Sequence, residues 1–240
     1  MELLGQTALV TGASRGLGFA LASLLAQRGV NVIVAAREGR SLEAAADRLR
    51  GQAAVLAVTA DVSEDAERIV AVGVERFGVI DILINNASEL GPSPLPSIET
   101  LPWTSMERIL RVNVTAPLHL MQLVLPGMKS RGAGTIVNVT SDAAVNAYPG
   151  WGGYGASKAA LEHMSRTLAV ELNQPRIRVL TVDPGDMDTE MHRAAEPGAD
   201  LSALPKPESV APSIIGLLED DRVTSGRYQA RWQPTPLQPR

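Results

Sequence analysis

The 240-residue chain predicts an α/β fold: a doubly wound, mostly parallel seven-stranded sheet with helices on both faces, in a single domain. Three observations carry that expectation. Short uncharged apolar runs alternate with helical periodicity from end to end, the pattern left by repeated βαβ crossovers. The runs are apolar at successive positions, as in strands buried on both faces. The first run passes into a glycine-rich turn and then a helix, the order in which an open α/β sheet begins a phosphate-binding site.

The elements follow in order. Thr7-Ala-Leu-Val-Thr11 is a short strand, read over 8–11, and Gly12 to Gly18 forms the turn into a helix at 17–28. Val32-Ile-Val-Ala-Ala36 gives a second strand at 32–35 and leads to a helix at 41–50. Strands at 55–58 and 82–85 flank a helix at 64–77. A long helical stretch at 101–130 precedes a strand at 136–139; a helix at 154–173 precedes a strand at 179–182; a helix at 207–220 precedes a last strand at 227–230. Residues 89–102 are rich in Pro and Ser and read as a loop, and 184–207, with Gly185, Pro197, Gly198 and Pro205, as a longer one. The domain is read as 1–232. Residues 233–240 hold three prolines and are expected to be an extended tail.

Composition narrows the function classes. A formal charge of −4 without a basic stripe argues against nucleic-acid binding. With no cysteine there is no disulfide, thiolate metal site or cysteine nucleophile. The three histidines, His119, His163 and His192, lack metal-ligand spacing, so no metal is expected. Met1-Glu-Leu-Leu-Gly5 leads directly into the first strand, and no apolar run approaches membrane-spanning length, so the expected location is cytoplasmic.

Tyr154, Lys158 and Ser141 are the residues with chemistry to offer. Tyr154 and Lys158 stand four apart at the start of a helical run, and therefore on one helix face. Ser141 follows the apolar segment Thr135-Ile-Val-Asn-Val-Thr140, at the carboxyl end of a strand, where open sheets place ligands. A free phenol has a pKa near 10 and exchanges protons poorly at neutral pH. An adjacent ammonium favours the phenolate, which fits the phenol to give a proton to a carbonyl oxygen or take one from an alcohol. A serine hydroxyl can hold the same oxygen. Alone, a Tyr and a Lys so spaced are more often a packing residue and a solvated charge. The glycine turn upstream changes that: its glycines let the backbone approach a pyrophosphate, and the helix N–H groups face the anion.

Taken in order, Thr11-Gly12-xxx-Gly16-x-Gly18, Asn85-Asn86-Ala87, Asn113, Ser141, Tyr154-xxx-Lys158 and Pro184-Gly185-xxx-Thr189 resemble the short-chain dehydrogenase/reductase family in its single-domain, Rossmann-like form. The resemblance spans about residues 5–230. It implies a catalytic set of Asn113, Ser141, Tyr154 and Lys158, with Asn113 interrupting the helix geometry and its carbonyl holding a water linked to Lys158. Pro117, four residues on, has no N–H for that carbonyl. Lys158 would also bind the nicotinamide ribose, and an oxidised nicotinamide would add to its pull on Tyr154. The cofactor would further meet Gly12, Ser14, Arg15, Gly16, Leu17, Gly18 and Arg37. Asp61 and Val62 would meet adenine, Asn86 and Ala87 its ribose side, and Pro184, Gly185 and Thr189 the carboxamide.

Ala36 stands where readers of the unphosphorylated cofactor carry an acid, and Arg37 follows. With Arg15 in the glycine turn, two guanidiniums are available to clamp a 2′-phosphate, so the expected cofactor is NADP(H). Substrate is expected at Ser141, Trp151, Met187 and Met191. His192 is read as a surface residue, and Asp142 and Asp186 as loop acids beside the pocket. Two departures from the family stand out. Ser88 replaces the glycine usual after Asn-Asn-Ala, and the glycine pair usual near the carboxyl end is missing. The segment 183–191 is similar to that of pterin- and diketone-reducing members. The activity implied is reduction of a small-molecule carbonyl to an alcohol by NADPH. The alternatives are a catalytically silent NADP(H)-binding sensor or scaffold and an epimerase or dehydratase on the same fold. The resemblance also implies a homodimer or homotetramer paired through the helices at 101–130 and 154–173, where Ala156, Ala159 and Ala160 permit close approach.

Overall fold

Alternate residues of each central strand enter two different cores, and this makes the sheet the middle layer of three. The computed structural model describes residues 2–230. Its strands are β1 (Thr7–Thr11), β2 (Asn31–Ala36), β3 (Val55–Thr59), β4 (Ile82–Asn85), β5 (Gly134–Val139), β6 (Ile177–Asp183) and β7 (Gly226–Gln229). They lie in the order β3-β2-β1-β4-β5-β6-β7, and all six pairings are parallel. The helices are α1 (Gly16–Gln27), α2 (Gly39–Leu49), α3 (Ala66–Phe77), α4 (Trp103–Leu110), α5 (Ala116–Arg131), α6 (Gly152–Leu172), α7 (Glu190–Ala195) and α8 (Pro207–Glu219).

Ala8 and Val10 of β1, with Val32, Val34 and Ala36 of β2, pack against α1, α2 and α8. Leu9, Ile33 and Ala35, from the other side of the same strands, pack with α3 and α5. Period-2 alternation thus distributes a run that is apolar throughout between both faces. Edge strands β3 and β7 are only partly covered, which is why β7 reads weakly in sequence. Connections run outward from β1 in one direction and from β4 in the other. The crevice between the β1 and β4 carboxyl ends is therefore the switch point at which such sheets bind ligands.

Two expectations are corrected. The stretch 101–130 is not one helix: α4 and α5 are joined by a π-helical turn over Arg111–Thr115. The apolar periodicity runs through that turn, so pattern alone does not reveal it. The stretch 184–207 is not a plain loop: Thr189 caps α7 by accepting the His192 N–H at 3.2 Å. Nor is it loosely held, because the buried Asp188 carboxylate takes ion pairs from Arg193 and Lys206, and its N–H reaches the Pro205 carbonyl at 3.0 Å. The expected tail at 233–240 lies outside the described residues. Among the described residues no helix is long and apolar enough to cross a membrane.

Candidate active site

A cleft of about 870 Å³ opens at the carboxyl ends of the strands, across the switch point. One end is lined by Arg37, Asp61 and Val62, the middle by Gly12, Ser14, Arg15, Gly16 and Leu17, and the far end by Ser141, Tyr154 and Lys158. Asn86, Ala87, Pro184, Gly185, Thr189, Trp151, Met187 and Met191 also line it, so the structure gathers nearly every residue singled out in sequence. Gly18 and Asn113 do not line it.

The glycine turn is built for close approach. Gly12 and Gly16 have φ of +65° and +57°, the left-handed region that glycine enters without strain. A Cβ on Gly18 would lie 2.4 Å from the Gly12 carbonyl oxygen, so only glycine lets the first turn of α1 fold against the loop. Asn86 fastens the arrangement, donating from Nδ2 to the carbonyls of Thr11 at 2.8 Å and Gly12 at 3.2 Å. Arg15, the residue before α1, offers no side-chain cap to the helix, so the first N–H groups of α1 face the cleft without a side-chain acceptor. A pyrophosphate fits such a place by charge and by hydrogen bonding.

At the far end, α6 brings Tyr154 and Lys158 onto one face. The helix lies close to the 3₁₀ turn Asp142–Ala144, and Gly155 makes this contact possible, since a Cβ there would meet the Ala143 carbonyl oxygen at 2.5 Å. Ser141 begins that turn. Its Oγ accepts the Ala143 N–H at 3.1 Å and donates to Asp142 Oδ1 at 3.1 Å, while Tyr148 donates to Asp142 Oδ2 at 2.6 Å. Asp142 thus orients Ser141, and unlike Asp186 it does not line the cleft.

Lys158 is buried and donates from Nζ to the Val139 carbonyl at 2.9 Å, with Nζ 5.4 Å from the centroid of the Tyr154 ring. Burial brings its pKa down to about 8. Tyr154 is also buried, and burial is the main reason its pKa is pushed up to about 12; the Ser88 hydroxyl opposes the rise, and Asp183 and Asp142 add to it. Burial, and not the downward pull of Lys158 expected from sequence, sets the direction of the phenol's shift. The cause is desolvation, which penalises the charged form of both groups.

Asn113 sits in the π-helical turn, 1% exposed. Its Nδ2 donates to the Glu89 carbonyl at 2.8 Å and Ser157 Oγ at 2.9 Å, and its Oδ1 accepts from the Glu89 N–H at 2.7 Å and Ser88 Oγ at 3.1 Å. Ser157 in turn donates to the Tyr154 carbonyl at 2.6 Å. The amide thus brackets the segment after β4 to the first turn of α6, which carries Tyr154, while the main-chain carbonyl has no N–H from Pro117.

The structure also shows side chains that sequence reasoning passed over. Arg15 and Arg37 are not free: Arg15 pairs with Glu190 at 3.1 Å, and Arg37 with Glu89 at 3.7 Å. His192 is not a surface residue but lines the cleft, its side chain 13% exposed between Asp186 and Glu196. Arg227 of β7 joins Glu162 of α6 at 3.0 Å, Asp183 at 3.2 Å and the Ser141 carbonyl at 3.4 Å. No local motif flags these pairs, since their members are far apart in the chain, Arg227 and Ser141 by 86 residues.

A family model for short chain dehydrogenases matches residues 6–200. The chain belongs to the short-chain dehydrogenase family. Human (Homo sapiens) dehydrogenase/reductase SDR family member 4 is 36% identical to this short-chain dehydrogenase over 234 residues, 91% of this chain and 83% of that protein. Among solved structures, 3-ketoacyl-(acyl-carrier-protein) reductase from Brucella melitensis, complexed with NADH, superposes with a TM-score of 0.86 at 28% identity, covering 95% of this chain and 97% of that one. An alcohol dehydrogenase from Thermococcus sibiricus, complexed with 5-hydroxy-NADP, superposes with a TM-score of 0.83 at 29% identity, covering 96% and 99%. The chain is thus an oxidoreductase of a family whose solved members hold nicotinamide cofactors of both kinds.

Proposed function

We propose that this short-chain dehydrogenase is an NADPH-dependent carbonyl reductase acting on a small ketone or diketone. The observation that supports the reading most is the convergence of the Ser141 hydroxyl, the Tyr154 phenol and the Lys158 ammonium at one end of a cleft whose middle is the glycine turn. The bound nicotinamide would supply hydride to the carbonyl carbon. Tyr154 gives its proton to the carbonyl oxygen as charge develops there. Its high pKa keeps the phenol protonated throughout the neutral range, which suits the reducing direction. Ser141, oriented by Asp142, donates to the same oxygen. Lys158 stabilises negative charge on the phenol, and the Asn113 carbonyl takes part in resupplying the proton. Gly12, Ser14, Gly16, Leu17 and the first N–H groups of α1 hold the pyrophosphate, with Gly18 letting them approach, and Arg15 and Arg37 favour the 2′-phosphate. Asp61, Val62, Asn86 and Ala87 line the adenosine part, and Pro184, Gly185 and Thr189 the carboxamide part.

Trp151, which meets the Tyr154 ring edge-on with centroids 5.6 Å apart, joins Met187 and Met191 in an apolar wall for the substrate. Pairing of two copies through α5 and α6, and a cytoplasmic location, belong to the same reading. The exposed Val170 and Ala156 on α6 and the partly exposed Leu118 on α5 support the pairing, and light scattering that gives a monomer at micromolar concentration overturns it.

The test is NADPH oxidation, with NADH in parallel, against ketones, diketones, aldehydes and pterins, running the wild type beside Tyr154→Phe. Turnover that depends on Tyr154 is the expected result. NADPH binding without turnover supports a sensor instead, and turnover in which the cofactor is recycled supports an epimerase or dehydratase.

A further inference from the structure

Two arginines and two carboxylates meet at the end of the cleft opposite Tyr154. Glu89 follows Asn85-Asn86-Ala87-Ser88 after β4, and its backbone is held on both sides by Asn113. The side chain lines the cleft, its Oε1 accepting from the Gly91 N–H at 3.4 Å. Its Oε2 lies 3.7 Å from Arg37 Nη1 and 3.2 Å from Arg108 Nε. Arg108 also approaches Asp61, at 3.9 Å. In the sheet, β1 and its glycine turn lie between β2, which precedes Arg37, and β4, which precedes Glu89. The Arg37–Glu89 pair therefore spans the switch-point crevice above the carboxyl end of β1. The Glu89 side chain is 21% exposed and the Arg37 side chain 59%, so the acid is the more fixed partner.

This set of four charges is already neutral. A 2′-phosphate brings further negative charge to guanidinium donors that a carboxylate already occupies, and like charges close together in a partly desolvated cleft repel strongly. A 2′-hydroxyl has the opposite requirement. It donates to a carboxylate, the group that β2 lacks at Ala36 and that Glu89 carries to the neighbouring Arg37 from across the crevice. We infer that Glu89 is a cofactor-specificity residue: it competes with the 2′-phosphate for Arg37, accepts from the 2′-hydroxyl when no phosphate is present, and so narrows the preference of this chain for NADPH over NADH. The inference rests on the assignment of Arg37 to the 2′-phosphate under Proposed function.

The experiment needs no substrate. NADPH and NADH are titrated separately against the full chain by nicotinamide fluorescence, for wild type, Glu89→Gln and Arg37→Gln, with thermal melting to show that each variant is folded. Glu89→Gln is expected to tighten NADPH about tenfold and to leave NADH unchanged or weaker, raising the affinity ratio by at least that factor. A ratio that stays within about twofold of wild type, or falls, overturns the role of Glu89. Glu89→Ser removes the same charge and serves as the readout if the Gln variant does not fold. Arg37→Gln separates the two questions: it is expected to weaken NADPH about tenfold and spare NADH. If NADPH is unaffected by Arg37→Gln, the 2′-phosphate assignment fails, whatever Glu89→Gln does.

Discussion

Burial drives Tyr154 and Lys158 in the same direction, towards their neutral forms, and that gives the ammonium a cost in stability that can be measured. Lys158 has a folded pKa of about 8 against an ordinary value of 10.5, so between these values the unfolded chain binds the proton more tightly. Stability from this site therefore rises with pH across that window, and below about 8 the full penalty is present. Lys158→Met should raise the stability by about 1–3 kcal/mol near pH 7 while removing turnover. The gap to wild type should close as pH rises through the window. Thermal denaturation of both proteins at several pH values checks the sign, and a variant that melts lower than wild type at neutral pH contradicts it. Tyr154→Phe should keep its fold and its NADPH affinity and lose about 10²–10⁴-fold in kcat, because only the proton donor is removed.

At the scale of elements, the π-helical turn and the glycine turn are local conformations on which the site depends. Pro117 leaves the Asn113 carbonyl without the N–H that an ordinary α-helix would direct at it. Pro117→Ala restores that donor, so kcat should fall severalfold while the melting temperature stays level or rises. A variant with unchanged kcat would remove the carbonyl from the proposed proton path. Gly18→Ala places a methyl 2.4 Å from the Gly12 carbonyl and 2.5 Å from Asn86 Nδ2. Its NADPH dissociation constant should rise by more than about tenfold, measured by fluorescence, because the loop must move off α1. The glycine turn was legible in sequence because its residues are contiguous and each has a steric reason. The π-helical turn was legible only through the family resemblance, since Asn113 and Pro117 supply no periodicity of their own.

At the scale of the whole molecule, β7 is a weak strand held in place by charge. Arg227 donates to Glu162, Asp183 and the Ser141 carbonyl, tying the last strand to α6 and to the carboxyl ends of β5 and β6. Glu162 and Asp183 are 5% and 2% exposed, so removing their partner leaves two buried carboxylates less well compensated; Thr140 and Gly185 still donate to them. Arg227→Met should cost about 2–4 kcal/mol, read by chemical denaturation. It should also lower kcat more than it raises the NADPH dissociation constant, because Ser141 and Asp183 stand at the reacting end. A loss within about 0.5 kcal/mol would show that the pairs are solvated and do not hold the edge.

The chain by itself determined the succession of strands and helices, the glycine turn, and Ser141, Tyr154 and Lys158 as candidates, while Asn113 entered through the family resemblance. The former rest on spacing within a short segment or on the two-residue and 3.6-residue periods, which a linear pattern retains. Only the tertiary structure decided which charges meet. Glu89 reaches Arg37 across β1, Arg227 reaches Glu162 from 65 residues away in the chain, and Asn113 meets Ser157 through a π-helical turn. Such contacts depend on the register and order of strands far apart in sequence, and electrostatic pairing has no period to announce it. Burial, and with it the high pKa of Tyr154 and the low pKa of Lys158, is likewise a property of the packed molecule, because desolvation comes from neighbours that the local sequence does not name.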